Sequence, residues 1–445
     1  MSLSPRRTDP DAVRTADPLE LSARIIDAGQ AEEPTNRVSQ TLSELGEGLA
    51  VVESFSHIYA FDTDDGLVCF DASGAPKGAE AVGALRGWRT DRVHSLVYTH
   101  GHVDHVGGSG AVAADAAERR HPAPAVIGHE QVVDRFHRYR ETNGYNLAIN
   151  ARQFGGISKR QGMGLLADGD PQFLPSDVLW PTTTYRDRAV VSVGGVEFHL
   201  HHGKGETDDH TWAWVPSRRA LAVGDFVLWV FPNAGNPQKV QRYPLEWARA
   251  LREMQAYDAD LLLPAHGLPI EGRDRIALVL DDLASVLEHL VSETLQRMNA
   301  GQPLDEIVHS VHVAPELLEL PWLQPVYDEP EFVVRNIWRL YGGWWGQDPA
   351  ELKPSPKAHL AAELAALTGG VEPLVTRATE LAAAGDFRLA CHLVELAVQA
   401  SPDHRAAHEA RAQIYQARRN DELSLMAKGV FAAAAAESRQ RLENP

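Results

Sequence analysis

The sequence has very little cysteine and no long hydrophobic run. Only 2 cysteines, Cys69 and Cys391, occur in 445 residues, and their wide separation fits neither a disulfide framework nor a cysteine metal motif. The amino-terminal residues include arginines but have no apolar stretch behind them, so neither a secretory signal nor a membrane anchor is expected there. These absences favour a globular, cytoplasmic protein that does not contact the membrane.

Basic residues are also scarce. The chain has 42 Lys and Arg against 61 Asp and Glu, which gives a formal net charge of −19. Such a charge repels a phosphate backbone, so nucleic acid is not expected as a partner. Hydrophobic residues make up 44% of the chain, enough for a large core, and the length of 445 residues predicts at least two domains.

The distribution of patterns along the chain predicts three parts. Residues 1–45 are polar and without sustained periodicity, so a poorly ordered lead-in is expected there. Short strands and helices alternate through 46–274, which predicts a mixed β-sandwich with helices outside. Within this part, 139–187 lacks clear periodicity, and long insertions of this kind often cover active sites. From 275 to 445 apolar residues recur at helical spacing, and 381–402 resembles one tetratricopeptide-like helical pair.

A run of ligand-type residues follows the apolar strand predicted at 93–98. It reads Thr99-His100-Gly101-His102-Val103-Asp104-His105. His100 and His102 alternate as residues at a strand end do and can face the same side, whereas Asp104 and His105 lie on the turn that begins the next helix. Imidazoles and carboxylates suit zinc, with iron or manganese as alternatives. The run therefore predicts half of a metal site.

Three later residues supply candidate partners for this half-site. Glu206, Asp225 and His266 each lie in a short stretch that follows a predicted strand. Each alone would more often be an ordinary turn residue, but their joint occurrence in this order favours metal ligands. At the first of these positions Glu206 is favoured and His210 is the alternative, because several acidic and imidazole side chains are neighbours in sequence there.

These residues resemble the metallo-β-lactamase superfamily, and more narrowly its alkyl sulfatase branch. The branch is similar in using a carboxylate, here Glu206, where other members use histidine. The stretches 143–155 and 162–165 also look similar, and 341–349, which reads YGGWWGQDP, is like the GWxxGxP signature of the branch's dimerisation domain.

The resemblance implies an α/β protein with an αββα sandwich over 46–274, followed by an all-helical dimerisation domain over 275–445 and therefore a homodimer. The sterol-carrier-like carboxy-terminal domain usual in the family is expected to be absent. The resemblance also implies two zinc ions, with His100, His102 and Glu206 on one, Asp104, His105 and His266 on the other, and Asp225 bridging them.

Two such metals lower the pKa of a bridging water and stabilise a developing anionic oxygen, so a hydroxide nucleophile is available at neutral pH. Asp104 and Asp225 are accordingly the expected catalytic residues. No phosphate-cradling glycine loop followed by Lys and Ser or Thr is present, which disfavours nucleotide hydrolysis.

The favoured function is hydrolysis of a small anionic ester, an alkyl sulfate. Candidate groups for the anion are Asn143, Asn150, Arg152, Lys239 and Arg242, with Asn233 and Asn236 as further polar partners. Arg152 and Arg242 are equally well interpreted as surface or inter-domain charges. The segment after Asp225 departs from the family pattern, which leaves hydrolysis of another ester, a lactone or a phosphodiester as the second hypothesis. A non-catalytic, metal-bound dimeric scaffold is the third.

Overall fold

The computed structural model describes residues 16–154 and 172–444 of the chain. Within them, two β-sheets lie face to face and helices pack on their outer faces. The first sheet contains, in order, β1 (Thr41–Gly46), β2 (Leu49–Glu53), β3 (Ile58–Thr63), β4 (Gly66–Phe70), β5 (Val93–Val97), β6 (Ala125–His129) and β7 (Thr183–Tyr185). The second contains β8 (Arg188–Val193), β9 (Val196–Gly203), β10 (His210–Val215), β11 (Ala220–Gly224), β12 (Leu261–Pro264) and β13 (Ile270–Glu271).

The helices flank the sandwich and then form the carboxy-terminal part of the chain. Around the sheets are α1 (Pro18–Ala28), α2 (Gly78–Trp88), α3 (Val103–Val106), α4 (Ser109–Arg119), α5 (Glu130–Glu141), α6 (Asn143–Phe154) and α7 (Pro244–Gln255). After them come α8 (Arg273–Asn299), α9 (Leu304–Val308), α10 (Pro330–Gly342), α11 (Pro349–Leu352), α12 (Lys357–Thr368), α13 (Glu372–Ala383), α14 (Phe387–Ala400), α15 (Arg405–Asp421) and α16 (Leu425–Glu443). None of the helices described is long and apolar enough to cross a membrane.

The core is divided into layers by the two sheets. Phe61, Phe70 and Phe198 meet between the sheets, where Phe61 and Phe198 contact edge to face at 5.3 Å between ring centroids. A second cluster lies outside the first sheet, and a third joins the outer face of the second sheet to α7, α8 and α10. Burial on both faces explains why β4 and β11 are apolar throughout instead of alternating. The predicted sandwich followed by a helical region is confirmed.

Strand direction determines which side chains meet at one edge of the sandwich. In the second sheet β9 is antiparallel to β10, β10 is antiparallel to β11, and β11 is parallel to β12. The carboxyl ends of β9, β11 and β12 therefore lie at the same edge. In the first sheet β4 and β5 are parallel, so their carboxyl ends also share an edge.

The lead-in differs from the sequence expectation, because 18–28 is a helix and 41–45 belongs to a strand. The Asp17 carboxylate caps α1 by accepting hydrogen bonds from the backbone N–H of Leu19 and Glu20 at 2.8 and 3.1 Å. Leu21 and Ile25 are one turn apart and pack into the core outside the second sheet. Tertiary burial thus orders a short segment whose composition predicted little structure.

The insertion is also more regular than expected, since α6 covers its first part, while 155–171 lie outside the described residues. The sequence pattern did not predict α6, because this helix contains several asparagines and asparagine is a weak helix former. Here Asn146 and Asn150 donate their side-chain N–H groups to the carbonyl oxygens four residues earlier, at 3.1 and 2.8 Å. Ile149 and Phe154 are buried, so packing stabilises the helix.

Candidate metal centre

Four side chains of the first candidate group converge at the shared edge of the sandwich. His100 and His102 follow β5, Glu206 lies between β9 and β10, and Asp225 follows β11. Nε2 of His100 lies 2.8 Å from Nδ1 of His102 and 3.7 Å from Oδ2 of Asp225. Oε1 of Glu206 lies 3.7 Å from Nδ1 of His102. One ligand atom from each of the four residues lies within 4.8 Å of the others.

A second group, formed by Asp104, His105 and His266, lies next to the first. Nε2 of His266 is 3.3 Å from Nε2 of His105 and 3.4 Å from Oδ2 of Asp104. Asp225 belongs to the first group and also contacts the second: its Oδ2 is 3.4 Å from Nε2 of His105 and its Oδ1 is 3.6 Å from Nε2 of His266. The structure therefore brings together all seven predicted ligand residues, with Asp225 in contact with both groups.

The donor set fits a pair of divalent cations. Oδ1 of Asp225 is buried and has no hydrogen-bond partner among the described residues. Burial raises the pKa of Glu206 well above its ordinary value; the charge of Arg242 opposes this shift, and that of Asp225 adds to it. Burial lowers the pKa of His100 and of His102 well below the ordinary value, which keeps both imidazoles neutral with lone pairs available. Cations between these groups would offset the crowded carboxylate charge, and mixed nitrogen and oxygen donors suit zinc, iron or manganese.

Hydrogen bonds outside the groups orient the histidines. Nδ1 of His266 lies 2.5 Å from the carbonyl oxygen of Phe55, an acceptor only, so Nδ1 carries a proton and Nε2 faces the site. Nδ1 of His105 lies 2.8 Å from Oδ2 of Asp71. Asp71 also accepts hydrogen bonds from the backbone N–H and hydroxyl of Thr99 at 2.8 and 2.7 Å. Asp71 was missed by sequence reasoning, although it directly follows β4, the same strand-end signal that identified Asp225.

A buried ion pair fixes the loop that carries the first histidines. Arg135 of α5 donates to both carboxylate oxygens of Asp209, at 2.7 and 2.9 Å. The same carboxylate accepts the backbone N–H of Gly101 at 3.0 Å. A Cβ atom at Gly101 would lie 2.9 Å from Cδ of Arg135, so the close approach requires glycine. No sequence signal linked Arg135 to the site, since α5 is 30 residues further along the chain.

The structure distinguishes Glu206 from His210 by position. Glu206 belongs to the first group, whereas His210 does not. The ring of His210 lies 4.1 Å from that of His100, centroid to centroid, and packs against Phe226. Both ring nitrogens of His210 are buried without a hydrogen-bond partner in the described part of the chain. Glu206 therefore shares a group with His100, His102 and Asp225, and His210 does not.

Arg242 contacts Glu206 and is not a surface charge. Its guanidinium is 1% exposed and lies 3.2 Å from Oε1 of Glu206. It also donates to the backbone carbonyl of Glu206, and Asn233 donates its side-chain N–H to the same carboxylate. Arg242 and Asn233 therefore hold the Glu206 side chain in place.

Of the residues expected to bind an anion, Lys239 and Asn150 lie together. Nζ of Lys239 donates to Oδ1 of Asn150 at 2.9 Å. Burial and the like charge of Arg242 lower the pKa of Lys239 to about 7, and Glu206 and Asp104 oppose this shift. Lys239 is therefore within electrostatic range of carboxylates from both candidate metal groups.

The remaining candidates make other contacts. Arg152 is exposed and donates to Oε1 of Gln238 at 3.0 Å. Asn143 begins α6, and its Oδ1 accepts the backbone N–H of Phe173 at 2.7 Å. Asn236 donates its backbone N–H to Asp328 at 3.1 Å. These contacts connect the segments around the site.

The helical region contributes two residues that sequence reasoning missed. The hydroxyl of Tyr327 accepts a hydrogen bond from Nε2 of Gln153 at 3.3 Å, and burial followed by the charge of Glu206 raises its pKa well above the ordinary value. Oδ2 of Asp328 accepts the backbone N–H of Gly235 at 2.6 Å and so holds the loop that carries Asn233. Neither residue belongs to a motif, because their role arises from packing between the helical region and the sandwich.

Comparison with known proteins supports the resemblance. Residues 51–266 match the model of the metallo-beta-lactamase superfamily, and residues 303–441 match that of the alkyl sulfatase dimerisation domain. The chain is 26% identical over 368 residues to a linear primary-alkylsulfatase of Pseudomonas sp., which covers 80% of this chain and 69% of the relative. It is 24% identical over 371 residues to an (R)-specific secondary-alkylsulfatase of Pseudomonas sp., covering 78% of this chain and 55% of the relative.

The fold comparison agrees with the sequence comparison. The solved structure of the stereoselective inverting sec-alkylsulfatase Pisa1 from Pseudomonas sp. superposes with a TM-score of 0.78 at 21% sequence identity. The superposition covers 90% of this chain and 66% of that protein. At this identity the likeness establishes the fold, which includes both the sandwich and the helical region.

Proposed function

Since the chain belongs to the metallo-beta-lactamase superfamily, in the branch that carries an alkyl sulfatase dimerisation domain, we propose that it is a two-metal hydrolase of alkyl sulfate esters. The observation that carries this proposal is the position of Asp225. Its Oδ2 lies 3.7 Å from Nε2 of His100 in the first group and 3.4 Å from Nε2 of His105 in the second, and its Oδ1 lies 3.6 Å from Nε2 of His266, also in the second group. A carboxylate in this position suits a bridge between two cations.

In this proposal His100, His102 and Glu206 would hold one cation, Asp104, His105 and His266 would hold the other, and Asp225, which contacts residues of both groups, would contribute to each site. When bound, the cations supply Lewis acidity that activates water and offsets negative charge on the leaving group. The protein residues orient this chemistry: Asp71 directs His105, the Phe55 carbonyl directs His266, and Arg242 directs Glu206.

The anionic end of the substrate is expected to bind beside Lys239 and Tyr327. Both side chains are close enough to Glu206 and Asp104 for the charges of these residues to shift their pKa values. The ammonium group of Lys239 offers a positive charge, and the Tyr327 hydroxyl, which accepts from Gln153, has its own proton to donate. Lys239 makes its described hydrogen bond to the neutral Asn150, so its charge is not neutralised by that partner.

Replacing Lys239 with glutamine is expected to raise KM for an alkyl sulfate by about tenfold or more, because a charge-assisted contact to the sulfate is lost. The pKa of Lys239 is about 7, so the ammonium is charged below pH 7 and loses its proton above it. In the wild type, kcat/KM should therefore fall as pH rises through about 7, and the Lys239→Gln variant should lack that fall. The exposed Lys204 offers a matched control: Lys204→Gln should leave KM unchanged. Equal KM values for wild type and Lys239→Gln would contradict the assignment.

Metal removal tests the proposed site directly. Elemental analysis of the purified protein is expected to find two equivalents of a transition metal, and a chelator should abolish hydrolysis, with recovery when zinc is added. Protein that binds no metal, or hydrolysis that survives complete metal removal, would refute the two-metal proposal.

The substrate is tested with a panel of linear alkyl sulfates, lactones and aryl phosphodiesters, with sulfate release as the readout for the first class. One observation favours an uncharged substrate such as a lactone: Arg242 is engaged with Glu206 and Arg152 with Gln238, so fewer cations face the site than the sequence suggested. Turnover of a lactone or a phosphodiester without sulfate release would make that second function the correct one.

We further propose that the chain forms a homodimer through its helical region. Residues 303–441 match a dimerisation domain, and this region exposes large apolar side chains, including Trp344 at 71% and Leu367 at 83%. Exposed apolar surface of this kind is typical of an interface. Sedimentation analysis is expected to give twice the mass of 48.8 kDa, and a monomer at micromolar concentration would refute the dimer.

A further inference from the structure

The last helix of the described chain, α16, packs against α6 at the insertion. We propose that residues 424–429, at the start of α16, position the substrate-binding side of the metal site. This inference rests on the proposed function, because it assigns a role to the residues proposed to bind substrate. Two independent contacts, one to α6 and one to the Tyr327 segment, carry it.

The first contact is a close approach of two helix backbones at Gly429. A Cβ atom at this position would lie 2.0 Å from the carbonyl oxygen of Gln153 and 2.6 Å from its carbonyl carbon. Real side chains do not tolerate such distances, so any residue other than glycine would force α6 and α16 apart. Small residues permit this kind of backbone approach between helices.

α6, the helix that a larger residue at position 429 would displace, carries residues that face the proposed substrate site. Oδ1 of Asn150 in α6 accepts a hydrogen bond from Nζ of Lys239 at 2.9 Å. Gln153, which is 1% exposed, donates to the Tyr327 hydroxyl at 3.3 Å. Phe154 stacks nearly parallel to the Tyr327 ring, with an interplanar angle of 9° and a centroid distance of 6.3 Å. A shift of α6 would therefore move the partners of both Lys239 and Tyr327.

The second contact holds the backbone of Tyr327 itself. The buried Ser424 hydroxyl donates to the carbonyl oxygen of Tyr327 at 2.7 Å. The backbone N–H of Leu425 donates to the carbonyl oxygen of Val326 at 2.9 Å. Residues 424–429 thus contact both α6 and the segment that carries Tyr327, although none of them belongs to either metal group.

The test is Gly429→Ala in the full-length protein. KM for an alkyl sulfate is expected to rise about tenfold or more while kcat changes less, because a displacement of about 1 Å in positioning residues is enough for such losses. Metal content should stay as in the wild type, and hydrogen exchange of the amides of α6 should become faster. Gly83→Ala is the matched control, since Gly83 is also in a helix but a Cβ there meets nothing within 4 Å.

A second pair of variants covers the case in which Gly429→Ala does not fold. Ser424→Ala removes the hydroxyl that contacts Tyr327 and is expected to raise KM in the same direction. Ser424→Thr retains the hydroxyl and should restore the wild-type value. The inference would be overturned if both Gly429→Ala and Ser424→Ala left KM and the hydrogen exchange of the α6 amides unchanged. It would also be overturned if these variants lost metal in proportion to their loss of activity.

Failure of the proposed function is recognised separately. If the wild type hydrolyses no alkyl sulfate, that proposal fails, and the amide exchange of α6 in Gly429→Ala still decides whether α16 positions this helix. Unchanged exchange in that case would overturn the positioning inference on its own.

Discussion

Replacing Asp225 with asparagine is expected to lower kcat/KM by about 1000-fold or more. The substitution keeps the shape of the side chain but removes the charge that faces His100 of the first group and His105 and His266 of the second. Two-metal sites contribute several kcal/mol of charge stabilisation, and each 1.36 kcal/mol corresponds to a factor of ten in rate. Elemental analysis should show that less than the wild-type amount of metal is bound.

Asp208 provides the control for this variant. It is also acidic and near the site in sequence, but its carboxylate contacts Arg135 and belongs to neither metal group. Asp208→Asn should therefore keep the full metal content. If Asp225→Asn and Asp208→Asn bind equal amounts of metal, Asp225 does not bridge the two groups.

Replacing Arg135 with methionine is expected to lower the free energy of unfolding by about 3–5 kcal/mol. Arg135 and Asp209 are both buried, so removing the guanidinium leaves an uncompensated carboxylate inside the protein. The loop that carries His100 and His102 loses its anchor at the same time, because Asp209 accepts the Gly101 N–H. Urea denaturation in the presence of a chelator measures this loss without a contribution from bound metal.

The pH dependence of stability provides a second readout for this pair. Although burial alone raises the pKa of Asp209, the charge and hydrogen bonds of Arg135 hold it well below the ordinary value. A carboxylate with a depressed pKa stabilises the fold above its unfolded pKa of about 3.9, and this stabilisation is lost as pH falls towards the folded pKa. The wild type should therefore lose stability between about pH 5 and pH 2, and Arg135→Met should lose less over the same range.

Two further variants separate the ion pair from general effects of the substitution. Arg186 and Glu130 form an exposed pair, with side chains 75% and 38% exposed, so Arg186→Met should leave the free energy of unfolding nearly unchanged. Adding Asp209→Asn to Arg135→Met removes the buried charge and should recover part of the lost stability. A double variant no more stable than Arg135→Met alone would contradict the explanation.

The sequence predicted the sandwich and helical region well because those predictions rest on local periodicity. It predicted less about the first 45 residues and the insertion. Leu21 and Ile25 in α1, and Ile149 and Phe154 in α6, become buried against segments far away in sequence. Asparagine and proline in these stretches obscured helices that tertiary packing stabilises.

The candidate metal ligands show the same difference between what local sequence patterns predict and what long-range packing decides. The motif from His100 to His105 is recognisable in sequence because the spacing of its residues along a strand end and a helix start is local. Glu206, Asp225 and His266 were recognisable as strand-end residues, but only the directions of β9, β11 and β12 bring those ends to one edge. The contact of Asp225 with both groups was implied by family resemblance and has its geometric basis in the folded protein.

The amino-acid sequence by itself determined the type of chemistry, since it specifies imidazoles and carboxylates at strand ends and a net charge of −19 that disfavours nucleic acid. Only the tertiary structure decided which of Glu206 and His210 faces the other ligands, and that Asp71, Arg135 and Tyr327 support the site. The physical reason is that short-range patterns depend on neighbours in the chain. A hydrogen bond or an ion pair depends on distances between segments that meet only when both sheets and the helical region have packed together.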